Sequence, residues 1–137
     1  MRTGLFALAA TALLTAGCGM EKDKEAAGKA CGPAPSAIAQ QPTLPSGFPT
    51  PSGVTYTKQS KAGPSTIVEG FRNGDLDKTL EEYKSGIESA TGYAVTKDEH
   101  DAADAEVNYS GGKTTGQIAL KQECKDRTTV KLTIRPA

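Results

Sequence analysis

Only one stretch of this chain between residue 54 and its end repeats with the period of a helix. Between Asp75 and Thr91, apolar side chains fall at Leu76, Leu80, Tyr83, Ile87 and Ala90, in steps of four, three, four and three. That spacing puts all five on one stripe of an α-helix, and Asp77, Lys78, Glu81, Lys84, Ser85 and Glu88 cover the other side. Asp75 is a good N-cap, because its carboxylate can accept from the free amides of the first turn. Gly92 suits the left-handed residue that closes such a helix. Gly86, inside it, costs up to ~1 kcal/mol relative to alanine and suggests a close approach to a neighbouring sheet.

Around this helix the pattern alternates. Val54-Thr55-Tyr56-Thr57 reads as a strand, Ala62-Gly63-Pro64 as a turn, and Ser65 to Phe71 as a second strand ended by Asn73-Gly74. After the helix, Tyr93-Ala94-Val95 reads as a short strand, and Asp98 to Asp104 as a solvated acidic loop. Ala105, Val107 and Tyr109 alternate along a third strand, and Gly111-Gly112 predicts a tight hairpin. Gly116, Ile118 and Leu120 lie on the returning strand, and Val130, Leu132 and Ile134 form the last inward row. The order is ββαββββ: an α+β domain with two layers, one amphipathic helix packed on an antiparallel β-meander. The other face would carry Thr55, Thr57, Asn108, Thr115, Gln117, Thr129, Lys131, Thr133 and Arg135, and a half-wet antiparallel sheet is ordinary.

Residues 18–53 read as a tether. Glu21-Lys22-Asp23-Lys24-Glu25 is charged and self-neutralising, and Pro33, Pro35, Pro42, Pro45, Pro49 and Pro51 follow. Such a segment has no apolar period with which to build a core. The domain is therefore expected over residues 54–137.

Before the tether the chain has a leader. Arg2 supplies its one charge, the apolar run from Leu5 to Ala16 follows, and Leu14-Thr15-Ala16-Gly17-Cys18 ends it. A dozen apolar residues fall short of the roughly 20 needed for a spanning helix. This is the layout of an export signal over residues 1–17. The small residues before Cys18 resemble the lipobox of bacterial lipoproteins, with Thr15 where leucine commonly stands. The resemblance implies that the Cys18 thiol takes a diacylglycerol and that the chain is cut before it. The order of parts is also similar to that of small uncharacterised lipoproteins of high-GC Gram-positive bacteria. It implies anchoring to the outer leaflet of the plasma membrane, or to the outer membrane in a host that has two. With Cys18 committed to lipid, Cys31 and Cys124 remain as an even pair in an oxidising setting, and a disulfide between them is the obvious pairing. It would pin the tether from Cys31 onward and lay Leu44 and Phe48 on the domain surface.

Lys+Arg and Asp+Glu balance at 16 each, so nothing steers the chain to nucleic acid. Trp is absent, and aromatic platforms for sugars or bases are scarce. Ser110-Gly111-Gly112-Lys113-Thr114 resembles the end of a P-loop, but Val107 stands where the first glycine belongs. Asn73, Asp75 and Asp77 mimic the start of a calcium loop, but Lys78 and Lys84 occupy its glycine and glutamate positions. The most site-like cluster is Asp98, Glu99, His100, Asp101 and Asp104, with weak cation binding as its functional reading. No catalytic constellation, cofactor or metal site is expected: His100 is the only histidine, and the cysteines lack the spacing of a redox motif. The resulting expectation is a non-catalytic envelope lipoprotein that presents a small interaction or assembly domain to an envelope partner. The alternative is a surface lipoprotein that binds a small molecule or an ion.

Overall fold

The computed structural model describes Glu25 and residues 27–137; the expected signal segment over residues 1–17 and the expected lipidation site Cys18 lie outside the described residues. Six strands form one antiparallel sheet: β1 Val54–Ala62, β2 Ser65–Asn73, β3 Tyr93–His100, β4 Asp104–Gly111, β5 Thr114–Cys124 and β6 Arg127–Pro136. A helix, α1 (Leu76–Ser89), links β2 to β3. The spatial order is β1-β2-β6-β5-β4-β3, so the last strand enters between the first pair and the meander. The ββαββββ, two-layer α+β expectation holds.

The helix behaves as its period requires. Leu76, Leu80, Tyr83 and Ile87 are buried, with Thr79 beside them. They meet Val107, Tyr109, Ile118, Leu120, Val130 and Leu132 from the sheet in one core. Fully burying a side chain of this size is worth about 1.5–3 kcal/mol. Asp75 caps the helix, accepting from the Lys78 amide at 2.8 Å. The helix stops sooner than expected, with Ala90 as C-cap, because Thr91-Gly92 must turn the chain back into β3; Gly92 has φ +80°.

Two local expectations are corrected by strand pairing. β3 does not end at Val95. A bulge lies between Val95 and Lys97, after which pairing with β4 resumes from Lys97↔Asn108 to His100↔Ala105. Asp98, Glu99 and His100 are therefore strand residues, because the ladder to β4 satisfies their backbone and charged side chains suit an edge strand. The β4–β5 hairpin also shifts by one residue. Gly111 pairs with Thr114, which leaves Gly112 and Lys113 as the two turn residues, at φ +57° and +60°. Both are left-handed, as in a type I′ turn.

The largest departure concerns residues 31–53. This segment is a strap packed on the domain. A Cys31–Cys124 disulfide holds its start, with the Cα atoms 5.2 Å apart and the two residues 93 positions apart in sequence. Closing a loop of that length is worth roughly 4–5 kcal/mol on the chain-entropy account. The Ile38 amide donates to the Tyr56 carbonyl at 2.9 Å, and the Thr43 amide donates to Gln59 at 3.1 Å. Phe48 does not lie on the surface: it is 9% exposed and belongs to the core. Its ring packs 5.2 Å from that of Tyr109 and 6.0 Å from that of Tyr93, centre to centre. The helix rests chiefly on β3, β4 and β5. The strap adds Ile38, Leu44 and Phe48 to the same core. Gly86 marks a close approach to the strap, not to the sheet, because a Cβ there would sit 3.1 Å from Pro49 Cβ.

Candidate functional site

The face of the sheet away from the helix is the accessible surface with the most varied chemistry. Its central row follows from the register. Glu69 on β2 stands opposite Lys131 on β6, Lys131 opposite Ala119 on β5, Ala119 opposite Glu106 on β4, and Glu106 opposite Glu99 on β3. Lys58 pairs with Glu69 at 3.5 Å, and Lys97 with Glu99. Glu106 and Glu99 are like charges directly opposite one another, which costs stability. Gln117 offsets part of this by donating to Glu106 at 2.9 Å. Ala119 makes the row dip.

Two shallow hollows of about 330 and 320 Å³ flank this row and share Thr129 and Lys131. The first is bounded by Asp104 and Glu106, the second by Glu69, Phe71 and the strap residue Pro35. Beside the second, Arg127 donates to both carboxylate oxygens of Glu123, at 2.7 and 3.4 Å, and to the Gly32 carbonyl at 3.2 Å. Its guanidinium lies 5.6 Å from the centre of the Phe71 ring. A cation over a ring with a two-pronged carboxylate partner fixes this corner of the face and the start of the strap together.

The acidic cluster does not assemble. Asp98 leaves toward the helix and pairs with Lys84 at 2.7 Å. His100 leaves the same way and lies 3.1 Å from Asp77. Glu99 is on the opposite face with Lys97. Asp101 and Asp104 close the β3–β4 turn through a backbone bond of 2.8 Å. Among the described residues no group of three or more histidine, cysteine, aspartate or glutamate side chains converges as a metal site. The hydrogen bond from Lys84 to Asp98 holds the lysine above its ordinary range. Asn73 ends β2 and Asp75 caps the helix, so the residues that mimic a calcium loop serve the chain's own geometry.

Sequence reasoning overlooked two polar residues that organise the interior. Gln122 is 7% exposed, accepts from the Leu76 amide at 2.7 Å and donates to the Cys124 carbonyl at 2.6 Å. It caps the helix from another strand and fastens the β5–β6 hairpin. Arg72 is 8% exposed and donates to Glu82 at 2.7 Å, to Thr79 at 3.4 Å and to the Ser52 carbonyl at 3.0 Å. Their even spacing from Leu120 and Gly70 along the inward rows was the available signal.

Two tyrosine side chains are fully buried in the core. The hydroxyls of Tyr83 and Tyr109 are buried without a hydrogen-bond partner among the described residues. Burial pushes the Tyr83 phenol far above its ordinary value, and burial pushes Tyr109 up to about 12. Tyr109 fills the space over Gly116, where a Cβ would sit 2.6 Å from its hydroxyl.

No protein family, curated protein or solved structure matches this chain.

Proposed function

We propose that the protein is a cell-envelope lipoprotein: cut before Cys18, held by lipid on that cysteine, and presenting a small non-catalytic domain for interaction or assembly. The Cys31–Cys124 disulfide carries this reading. Such bonds persist in compartments outside the reducing cytosol. This one joins the domain to a point only thirteen residues beyond Cys18, so it fixes the domain close to its anchor. The anchor sits on the outer leaflet of the plasma membrane, or on the outer membrane of a host with two. The open face, with its mixed charges and shared Lys131, is the surface offered to an envelope partner.

Membrane fractionation of a Cys18→Ser variant tests the anchor. The variant should stay unprocessed or be released from the membrane, and fractionation identical to wild type would overturn the reading. Cross-linking of the native lipidated protein in cells tests the presentation. One dominant envelope partner should appear and be lost on Lys131→Glu; recovery of the protein alone would count against an interaction role.

A further inference from the structure

We propose that the outer edge of β3 is an interaction surface for a second copy of this chain. Two copies join there antiparallel, about a two-fold axis at Asp98, with Lys97 of each opposite Glu99 of the other.

The sheet has two edges, β1 and β3, and the chain treats them differently. Along β1 lies the strap, whose Ile38 amide donates to the Tyr56 carbonyl and whose Thr43 amide donates to the Gln59 side chain. Along the outer side of β3 no segment is paired among the described residues. The direction of its backbone groups follows from the register. The Asp101 amide donates to the Asp104 carbonyl at 2.8 Å, and in the same register Glu99 stands against Glu106 and Lys97 against Asn108. In an antiparallel ladder every second residue turns its amide and carbonyl toward the neighbouring strand. Those of Lys97 and Glu99 therefore face β4, and those of Asp98 and His100 point outward.

Charge selects the occupant. An edge that carried one sign of charge would repel a second copy of itself. On the open face of β3, Lys97 and Glu99 are opposite in sign, two residues apart and exposed. An axis through the sheet at Asp98 sets Lys97 opposite the second copy's Glu99, and Glu99 opposite the second copy's Lys97. Lys97 already pairs with Glu99 inside each copy, so the four groups close a ring in which every neighbour has the opposite sign. The ring also answers a repulsion present in the single copy. Glu99 stands against Glu106 on one side, and the second copy's Lys97 arrives on the other.

The same charges fix the register. An axis at Lys97 or at Glu99 would set that residue against itself on the open face. At Asp98 the residue on the axis is already bonded to Lys84 of its own helix, at 2.7 Å. Its outward amide and carbonyl can exchange a pair of bonds with the second copy's Asp98. Because the strap occupies the β1 edge, the contact closes at two copies and does not run on as a fibre.

The test uses the full chain with two different C-terminal tags, both forms produced in one cell, extracted in mild detergent and captured through one tag. The other tag should be co-captured. Lys97→Glu in both forms puts like charges at each joint, and so does Glu99→Lys in both; each should lower co-capture roughly tenfold or more. A Lys97→Glu form mixed with a Glu99→Lys form restores opposite signs at both joints. So does the double change within one chain. Both should return co-capture to the wild-type level, which also shows that each variant folds. Lys131→Glu, the change that tests the envelope partner, should leave co-capture intact, so the two readings fail separately. No co-capture between wild-type forms overturns the proposal, and so does co-capture that neither single change reduces. Loss in both single variants without recovery in the mixture or the double variant overturns the pairing. Loss with Lys131→Glu overturns it as well, by placing the contact on the open face.

Discussion

The helix and the strap supply the same core by opposite means. The helix covers β3, β4 and β5 with a stripe set by its own period, and its backbone is satisfied within itself. The strap has no repeat. It is held by a disulfide, by isolated bonds to Tyr56 and Gln59, and by one aromatic anchor, Phe48. A proline-rich segment can thus be part of a folded domain when other elements give it fixed points. Proline lowers the cost by leaving less freedom to lose in the unfolded chain.

The sharpest way to break the comparison is to release the strap. Changing Cys31 and Cys124 together to Ser should cost about 2–5 kcal/mol, read by urea unfolding. The helix signal in circular dichroism at low denaturant should remain. Phe48→Ala should cost about 3–4 kcal/mol in the same measurement, because it vacates a space bounded by Tyr93 and Tyr109. A loss below 1 kcal/mol would mean that the strap adds nothing to the core. At the helix start the two kinds of cap can be compared directly. Gln122→Ala should cost about 1–3 kcal/mol, since it leaves the buried Leu76 amide unpaired. Asp75→Ala at the exposed cap should cost about 1 kcal/mol. The smallest effect joins the two regions. Gly86→Ala should forfeit the gain of up to ~1 kcal/mol that an isolated helix would show. With Pro49→Gly, which removes the contacting Cβ, the gain should return, and a double-mutant cycle that finds the two changes additive would remove the contact from the account.

Much of the fold was legible because it is periodic. The stripe from Leu76 to Ile87 and the rows ending in Leu132 and Ile134 state their element and inward face without reference to anything distant. The site was less legible. The acidic residues from Asp98 onward read as a loop because charge masks strand pairing, and their backbone partners lie on β4. They separate onto two faces because side chains alternate along a strand, so a cluster in sequence is not one in space. Gln122 and Arg72 were passed over because a buried polar residue looks misplaced until its partners, 46 and 10 residues away in sequence, are known.

The sequence by itself determined the number and type of the elements, the helix stripe and cap, and the cysteine pair. These rest on repeats and side chains that act within a few residues of themselves. The tertiary structure alone decided how closely residues 31–53 pack on the domain, that Phe48 enters the core, and that Gly86 makes room for Pro49. Each of those depends on bringing together residues far apart in the chain, which happens only once the sheet has closed around β6.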